Sequence, residues 1–253
     1  MRIRLNVILL SLMAANLGAA EPPAFDHAHA RLTLVLKRFV KEARVNYQGL
    51  KADRQGLNAY LGLTSAVTRK SFDGWNEQQQ LAFLINVYNA RTLELITDEY
   101  PIKSIKKIGW LPGAAWRRKF IPFFGSKVSL GYIEHEILRK NYSVPEIHFA
   151  LVCAAKGCPP LRSTAYTGRG LRKELDSQGK LFLGNTAKNR VDSNNQLLYL
   201  SPIFDWFEED FEKSAGSVIG FVRRYLPERT RSELGNEFRI VYTKYDWSLN
   251  EAP

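Results

Sequence analysis

The stretch that most restricts how this chain can fold is NEQQQLAFLINVYNARTLELITDEY, running from Asn76 to the residue before Pro101. Its residues from Glu77 to Glu99 are mostly good helix formers, and between Leu81 and Tyr88 nearly every position is apolar, so the periodicity predicts a helix with no wet side. Pro101 ends it, because the residue before a proline is pushed out of the helical region. A helix of this kind must be wrapped by the rest of the chain. With 253 residues, 45% of them hydrophobic and 24% charged, there is enough material for a full core. Disordered, collagen-like and solenoid readings are excluded by the same numbers and by the lack of a repeat.

The flanking segments supply the wrapping. Asp26 to Arg44 carries Leu32, Val35, Leu36, Phe39 and Val40 at helical spacing, with Asp26 able to cap the first turn. Asp53 opens a second amphipathic stretch with Leu57, Tyr60 and Leu61 on one side. After Pro101 an aromatic, basic segment is broken by Gly109, Pro112, Gly113 and Pro122 and predicts a hairpin near Gly125 and Ser126; Ser129 then caps a short helix through Arg139. Ile147 to Cys153, IHFALVC, reads as a buried strand. Leu171 to Leu183 reads as a helix, Val191 and Leu197 to Leu200 as a hairpin around Asp192 to Asn195, and Ser201-Pro202 as the start of a helix holding Trp206, Phe207 and Phe211. A last helix near Ser217 to Tyr225 precedes a strand at Phe238 to Thr243. No linker divides these pieces, so the expectation is a single α+β domain over residues 21–253, its buried central helix packed on a small, mainly antiparallel sheet.

Arg2 and Arg4, the apolar run from Leu5 to Leu17, and the small residues Gly18, Ala19 and Ala20 have the pattern of a secretory signal over residues 1–20. The run is too short to span a bilayer, and no later segment is apolar enough, so a soluble periplasmic or secreted protein without a transmembrane segment is expected. The formal charge of the whole chain is +11. Seven positive charges, and no acid, lie between Pro101 and Ile133, interleaved with Trp110, Trp116, Phe120, Phe123 and Phe124. Residues 101–133 are therefore a candidate contact for anionic lipid or an acidic envelope polymer. No nucleic-acid partner is expected, since export removes it and no recognition motif is present.

Chemistry can reside in few places. The only cysteines are Cys153 and Cys158, and in an oxidising compartment a Cys153–Cys158 disulfide is the first expectation. As a nucleophile Cys158 is the better thiol, because it lies beyond the turn, with His148 or His135 as base. If residues 147–153 form a strand, His148 and Cys153 point to opposite faces. Asn86 and Asn89 share a face of the central helix beside Tyr88 and Arg91. Asparagine is a poor interior helix residue, so the pair either ties the helix to neighbouring loops or lines a polar pocket with Arg162 and His148. His135, His148, Cys153 and Cys158 lack a recognised zinc spacing, no metal or cofactor is expected, and phosphate-binding, dinucleotide, nucleophile-elbow and zinc-protease motifs are absent.

The blocks VNYQGL (from Val45), LAFLINVYNARTLELI (from Leu81), YPIKSI (from Tyr100), SLGYIEHEILR (from Ser129), IHFALVCAAKGCPPLR (from Ile147), LSPIFDWFEEDF (from Leu200) and YDWSLN (from Tyr245) resemble, in order, those of the family called domain of unknown function 547. The resemblance spans about Asn46 to Asn250 and implies no particular reaction. It implies that Asn86, Tyr88, Asn89, His135, His148, Cys153, Cys158 and Arg162 belong to the signature of the family, whose members include exported bacterial proteins. An acidic residue is expected at Gly131 or Tyr132 and is missing. A buried helix followed by a His-bearing strand is also similar to papain-like and transglutaminase-like folds, although no cysteine stands at Glu77 to Gln80 where those enzymes carry theirs. Two functions follow: a non-catalytic binding or scaffold module of the cell envelope, slightly favoured, in which Asn86, Tyr88, Arg91 and Arg162 bind; and a thiol-dependent hydrolase or transferase using Cys158 with His148 or His135 and with Asn89 as an orienting residue.

Overall fold

A computed structural model describes residues 24–235 and 237–253; the expected signal segment, residues 1–20, lies outside the described residues. The Asp26 carboxylate accepts hydrogen bonds from the backbone N–H groups of Ala28 and Ala30 and starts helix α1, Ala30–Phe39. This helix ends earlier than its apolar spacing predicts. Glu42 and Ala43 both take positive φ, 49° and 61°, and turn the chain back as the hairpin β1 (Val40–Lys41) and β2 (Arg44–Val45). Helices α2 (Tyr47–Ala52), α3 (Gln55–Ser65) and α4 (Arg69–Asp73) follow.

The central helix, α5, runs over Glu77–Glu99 as predicted. Its start is set by a reciprocal cap in which Asn76 accepts from the Gln79 N–H and the Gln79 side chain accepts from the Asn76 N–H. Every residue from Leu81 to Leu93 is buried. Its main neighbours are helical: α2, α3 and the segment that bears Glu134 and His135.

After α5 come a short 3-10 turn, Ile105–Lys107, helix α6 (Ala114–Arg117) and the predicted hairpin, β3 (Ile121–Phe123) with β4 (Ser126–Val128). Ser129 Oγ caps the next helix by accepting from the Tyr132 N–H. From Tyr132 to Leu138 that helix is wound as a π-helix before closing with α7, Arg139–Asn141. Such wide turns concentrate at functional sites, because an extra residue per turn re-aims side chains. At Gly131 a Cβ would sit 2.9 Å from the Trp116 carbonyl oxygen, so the residue that departs from the expected acid is the one that lets the Trp116 backbone approach.

Ile147 to Cys153 is not a strand. Pro145–Phe149 forms a 3-10 turn, and the chain beyond it is irregular. Its composition suits a strand, but the groups that a neighbouring strand would pair are taken by a side chain: Asn89 donates to the Ala150 carbonyl (2.9 Å) and accepts from the Val152 N–H (2.9 Å). Helix α8 occupies Leu171–Leu183 as predicted, and β5 (Arg190–Asp192) pairs antiparallel with β6 (Leu197–Leu200). The expected single helix after Ser201-Pro202 is two, α9 (Ile203–Trp206) and α10 (Glu208–Ala215), broken at Phe207, whose φ of −123° leaves the helical region. Helices α11 (Val218–Arg223) and α12 (Glu228–Glu233) complete a crossover to β7 (Arg239–Tyr242), which lies parallel to β6.

The α+β class holds, with three small sheets among the described residues in place of one. Two apolar clusters result. The larger surrounds α5, while the smaller is aromatic, with Phe149, Phe182, Phe204, Phe211 and Phe221 packed beside the three-stranded sheet, and Tyr245 touches both. Among the described residues no helix is long and apolar enough to cross a membrane.

Candidate functional site

A pocket of about 230 Å³ opens where the two clusters meet. Its polar lining comes from Tyr88 of α5, Glu134 and His135 of the π-helix, His148 of the 3-10 turn, and the cysteine pair. Trp116, Trp206, Phe207, Tyr245 and Trp247 form its aromatic walls. Trp247 packs edge-on against Trp116 (ring centroids 6.0 Å apart) and nearly parallel to Trp206 (5.6 Å). The Lys106 ammonium lies 4.9 Å from the Trp247 ring centre, so part of the basic segment 101–133 belongs to the pocket rim.

The cysteines are brought together by the loop between them and by the C-terminal segment. Ala154 takes a positive φ of 60°, which folds the chain sharply after Cys153. Asn250 N–H donates to the Ala154 carbonyl, Lys156 N–H to that of Ser248 and Gly157 N–H to that of Asp246, which zips the C-terminal segment along the loop. This delivers Tyr245 to the sulfurs. A Cβ on Gly157 would lie 2.8 Å from the Tyr245 ring, so the close approach requires glycine.

Three donors converge on Cys158 Sγ: the Cys153 backbone N–H at 3.1 Å, the Tyr245 hydroxyl at 3.1 Å and the Cys153 thiol at 2.6 Å. Burial pushes the Cys158 thiol up. The hydrogen bonds from Cys153 and Tyr245, with further help from the backbone at Ala155, outweigh it and bring the thiol down to about 7. Cys153 moves the opposite way, because the proton it shares with Cys158, and then its own burial, favour the neutral thiol. Of the two sulfurs, Cys158 is therefore the one that ionises first. Both cysteines are free; the expected Cys153–Cys158 disulfide is not formed.

The histidines are held from a segment in which no site residue was foreseen. Asp210 of α10 accepts from His148 Nε2 (2.8 Å) and takes a two-pronged ion pair from Arg139 (2.6 and 3.0 Å). Burial alone would raise Asp210, but these hydrogen bonds hold its carboxyl well below the usual carboxylate range. His148 is buried, which pushes its pKa down despite Asp210, and its ring stacks on Phe207 with centroids 3.9 Å apart. The helix break at Phe207 makes that stacking possible. His135 is exposed at the rim, and its Nδ1 lies 3.3 Å from an Arg139 guanidinium nitrogen. Since guanidinium can only donate, Nδ1 accepts and the His135 proton sits on Nε2. Tyr88 donates to the buried Glu134 (3.0 Å).

Cys158, Cys153, His148, His135 and Tyr88 therefore line one pocket, and the opposed faces expected for His148 and Cys153 disappear with the strand. Asn86 and Asn89 are engaged elsewhere. Asn86 clamps both backbone groups of Tyr166 (2.7 and 3.0 Å), as Asn89 clamps Ala150 and Val152. Arg91 is buried on Glu94, Ser65 and the Leu61 carbonyl. Arg162 lies over the Tyr166 ring and bonds Thr164. Asp210, Phe207, Tyr245 and Trp247 sit within two of the sequence blocks that carry the resemblance, a signal that marks the segments but not the roles of these residues. Among the described residues no group of three or more His, Cys, Asp or Glu is disposed to hold a metal.

No curated protein and no solved structure matches the chain. Residues 72–183, which run from Phe72 through α5 and the cysteine loop to the end of α8, match the family described as protein of unknown function, DUF547.

Proposed function

We propose that the chain is a thiol-dependent transferase or hydrolase acting on acyl groups, with Cys158 as nucleophile. The observation that carries this reading is the convergence of hydrogen-bond donors on the Cys158 sulfur at the floor of an aromatic pocket. A thiolate present at neutral pH needs no base to activate it. It attacks the acyl carbonyl and forms a thioester as the leaving group departs and takes a proton from solvent at the open rim; water or an acceptor then attacks the thioester, gives its proton to solvent and releases the thiolate, while the exposed His135 offers its Nε2–H as a hydrogen bond to the departing and the entering oxygen. His148, tied to Asp210 and Phe207, is a positioning residue. Incubation with p-nitrophenyl acetate, followed by intact-mass measurement after acid quench, should give an adduct of one acetyl group at Cys158; Cys158→Ser should give none at unchanged thermal stability. Equal acetylation of both proteins overturns the reading.

The binding-module reading keeps the pocket and omits the chemistry. It draws support from the 3% exposure of Cys158 and from the tryptophan walls. Absence of any acyl adduct, together with saturable quenching of tryptophan fluorescence by an aromatic ligand in wild type and Cys158→Ser alike, would favour it.

We also propose that the exported protein meets anionic lipid through residues 101–133. The support is a loop tip at which Trp110 is fully exposed and Leu111 69% exposed, flanked by Lys106, Lys107, Arg117 and Lys119. Trp110→Ser with Leu111→Ser should abolish salt-sensitive co-sedimentation with phosphatidylglycerol vesicles; if the wild-type protein does not sediment with them, the proposal fails.

A further inference from the structure

The turn that carries Cys158 has a second face. Behind it lies an open groove of about 1080 Å³, reached past Cys158 and Pro159, which line both this groove and the aromatic pocket. Its basic lining is Arg44, Lys156, Arg162, Lys180, Lys188 and Lys244, against which stand only Glu42 and Asp246. Arg162 is engaged with Thr164 and Tyr166, and Lys180 with Asp176, whereas Arg44, Lys156, Lys188 and Lys244 have no carboxylate within ion-pair distance among the described residues.

Lys188 is the informative member. Its ammonium is partly buried, donates to the Cys158 carbonyl and lies 5.7 Å from the Phe182 ring centre. Burial pushes its pKa down, and the Arg44 cation adds to this, against the opposing pull of Cys158 and Asp246. The opposite rim is the β1–β2 turn, where Glu42 and Ala43 hold positive φ although neither is glycine. Residues kept in that region need support from their surroundings and cluster where a ligand is clamped.

We infer that this groove binds an extended acidic peptide, independently of the thiol chemistry on the other face. Three features favour carboxylates spaced along a chain over a phosphate group. Most of the cations are lysines, which act as dispersed point charges, and one of the two arginine forks is already engaged. The volume exceeds that of a usual small-molecule site, roughly 300–1,000 Å³. Asn185, exposed at the groove with its Oδ1 held by the Ala187 N–H, adds an amide N–H group able to meet a peptide backbone.

Fluorescein-labelled hexaglutamate, followed by anisotropy at low salt with the full chain, tests this. Saturable binding is expected, weakened about tenfold or more by Lys156→Glu with Lys244→Glu, unchanged by Lys106→Glu with Lys107→Glu, and unchanged by Cys158→Ser. The last variant separates a failure of this proposal from a failure of the thiol reading. No binding, or equal loss in both lysine pairs, overturns the groove. Displacement of the peptide by tripolyphosphate at concentrations about tenfold below those at which unlabelled hexaglutamate competes overturns the acidic-peptide assignment in favour of a phosphate ligand.

Discussion

Two sets of uncommon polar residues are buried in this protein, and they are used in opposite ways. On α5, Asn86 and Asn89 each present an amide that both donates to and accepts from the backbone of a facing loop, so their hydrogen-bonding capacity is spent on structure. On the cysteine loop, the donors converge instead on a single sulfur atom that could release them to a substrate. The difference teaches that a buried polar side chain is informative about function according to what it faces. Backbone carbonyl and N–H groups need a partner in every folded state, whereas a thiolate gathers donors only at a cost in burial that the fold must offset.

This contrast can be broken at either end, and the largest effect belongs to the clamps. Asn89→Ala leaves two buried backbone groups without partners and should cost about 3 kcal/mol in urea unfolding. Asn86→Ala should behave alike, and neither should change the pH at which Cys158 becomes reactive in the protein that remains folded. A large shift of that pH in Asn89→Ala would make Asn89 part of the site. Next is Asp210→Asn, which weakens the Arg139 and His148 contacts and should cost about 2 kcal/mol near neutral pH. Because the folded pKa of Asp210 lies below its unfolded value, the carboxylate stabilises above the ordinary value of about 3.9 and loses that contribution as pH falls towards the folded pKa. The gap between wild type and Asp210→Asn in chemical denaturation should therefore close below about pH 4; a constant gap would mean that the ion pair contributes nothing.

Smaller still is Gly157→Ala. Its methyl would meet the Tyr245 ring, so a loss of about 1–2 kcal/mol is expected together with a slower-reacting Cys158, as the hydroxyl is pushed away. The smallest effect on stability belongs to Tyr245→Phe, about 1 kcal/mol or less, with the Cys158 titration raised by about one unit. A Tyr245→Phe protein with unchanged thiol titration would remove that donor from the account.

What was legible in the sequence tracks how local the determinants are. Helices α5 and α8 fall on their predicted ends; Asn76 and Gln79 make the α5 cap within four residues, and Pro101 ends that helix. The hairpins around Gly125 and around Asp192 to Asn195 carry their turn residues with them. Ile147 to Cys153 misleads because its apolar, β-branched composition is satisfied by the Asn89 side chain, about sixty residues earlier in the chain, and not by a strand. The break at Phe207 escapes notice for a similar reason, since nothing nearby forbids a continuous helix and the gain comes from stacking on His148. The cysteines and histidines of the pocket stand out by rarity. Tyr245 and Asp210 do not, because their importance arises only when segments 87 and 62 residues apart are brought to Cys158 and His148.

The chemistry proposed for the pocket turns on the ionisation of one sulfur. Iodoacetamide labelling of the reduced wild-type protein across pH 5–10, with the two cysteines distinguished by peptide mass spectrometry, measures it directly. Cys158 should label at a rate that is half-maximal near pH 7, well before Cys153. A midpoint near that of an ordinary thiol, about 8.5, or labelling of Cys153 ahead of Cys158, would contradict the assignment of Cys158 as a thiolate held ready at neutral pH.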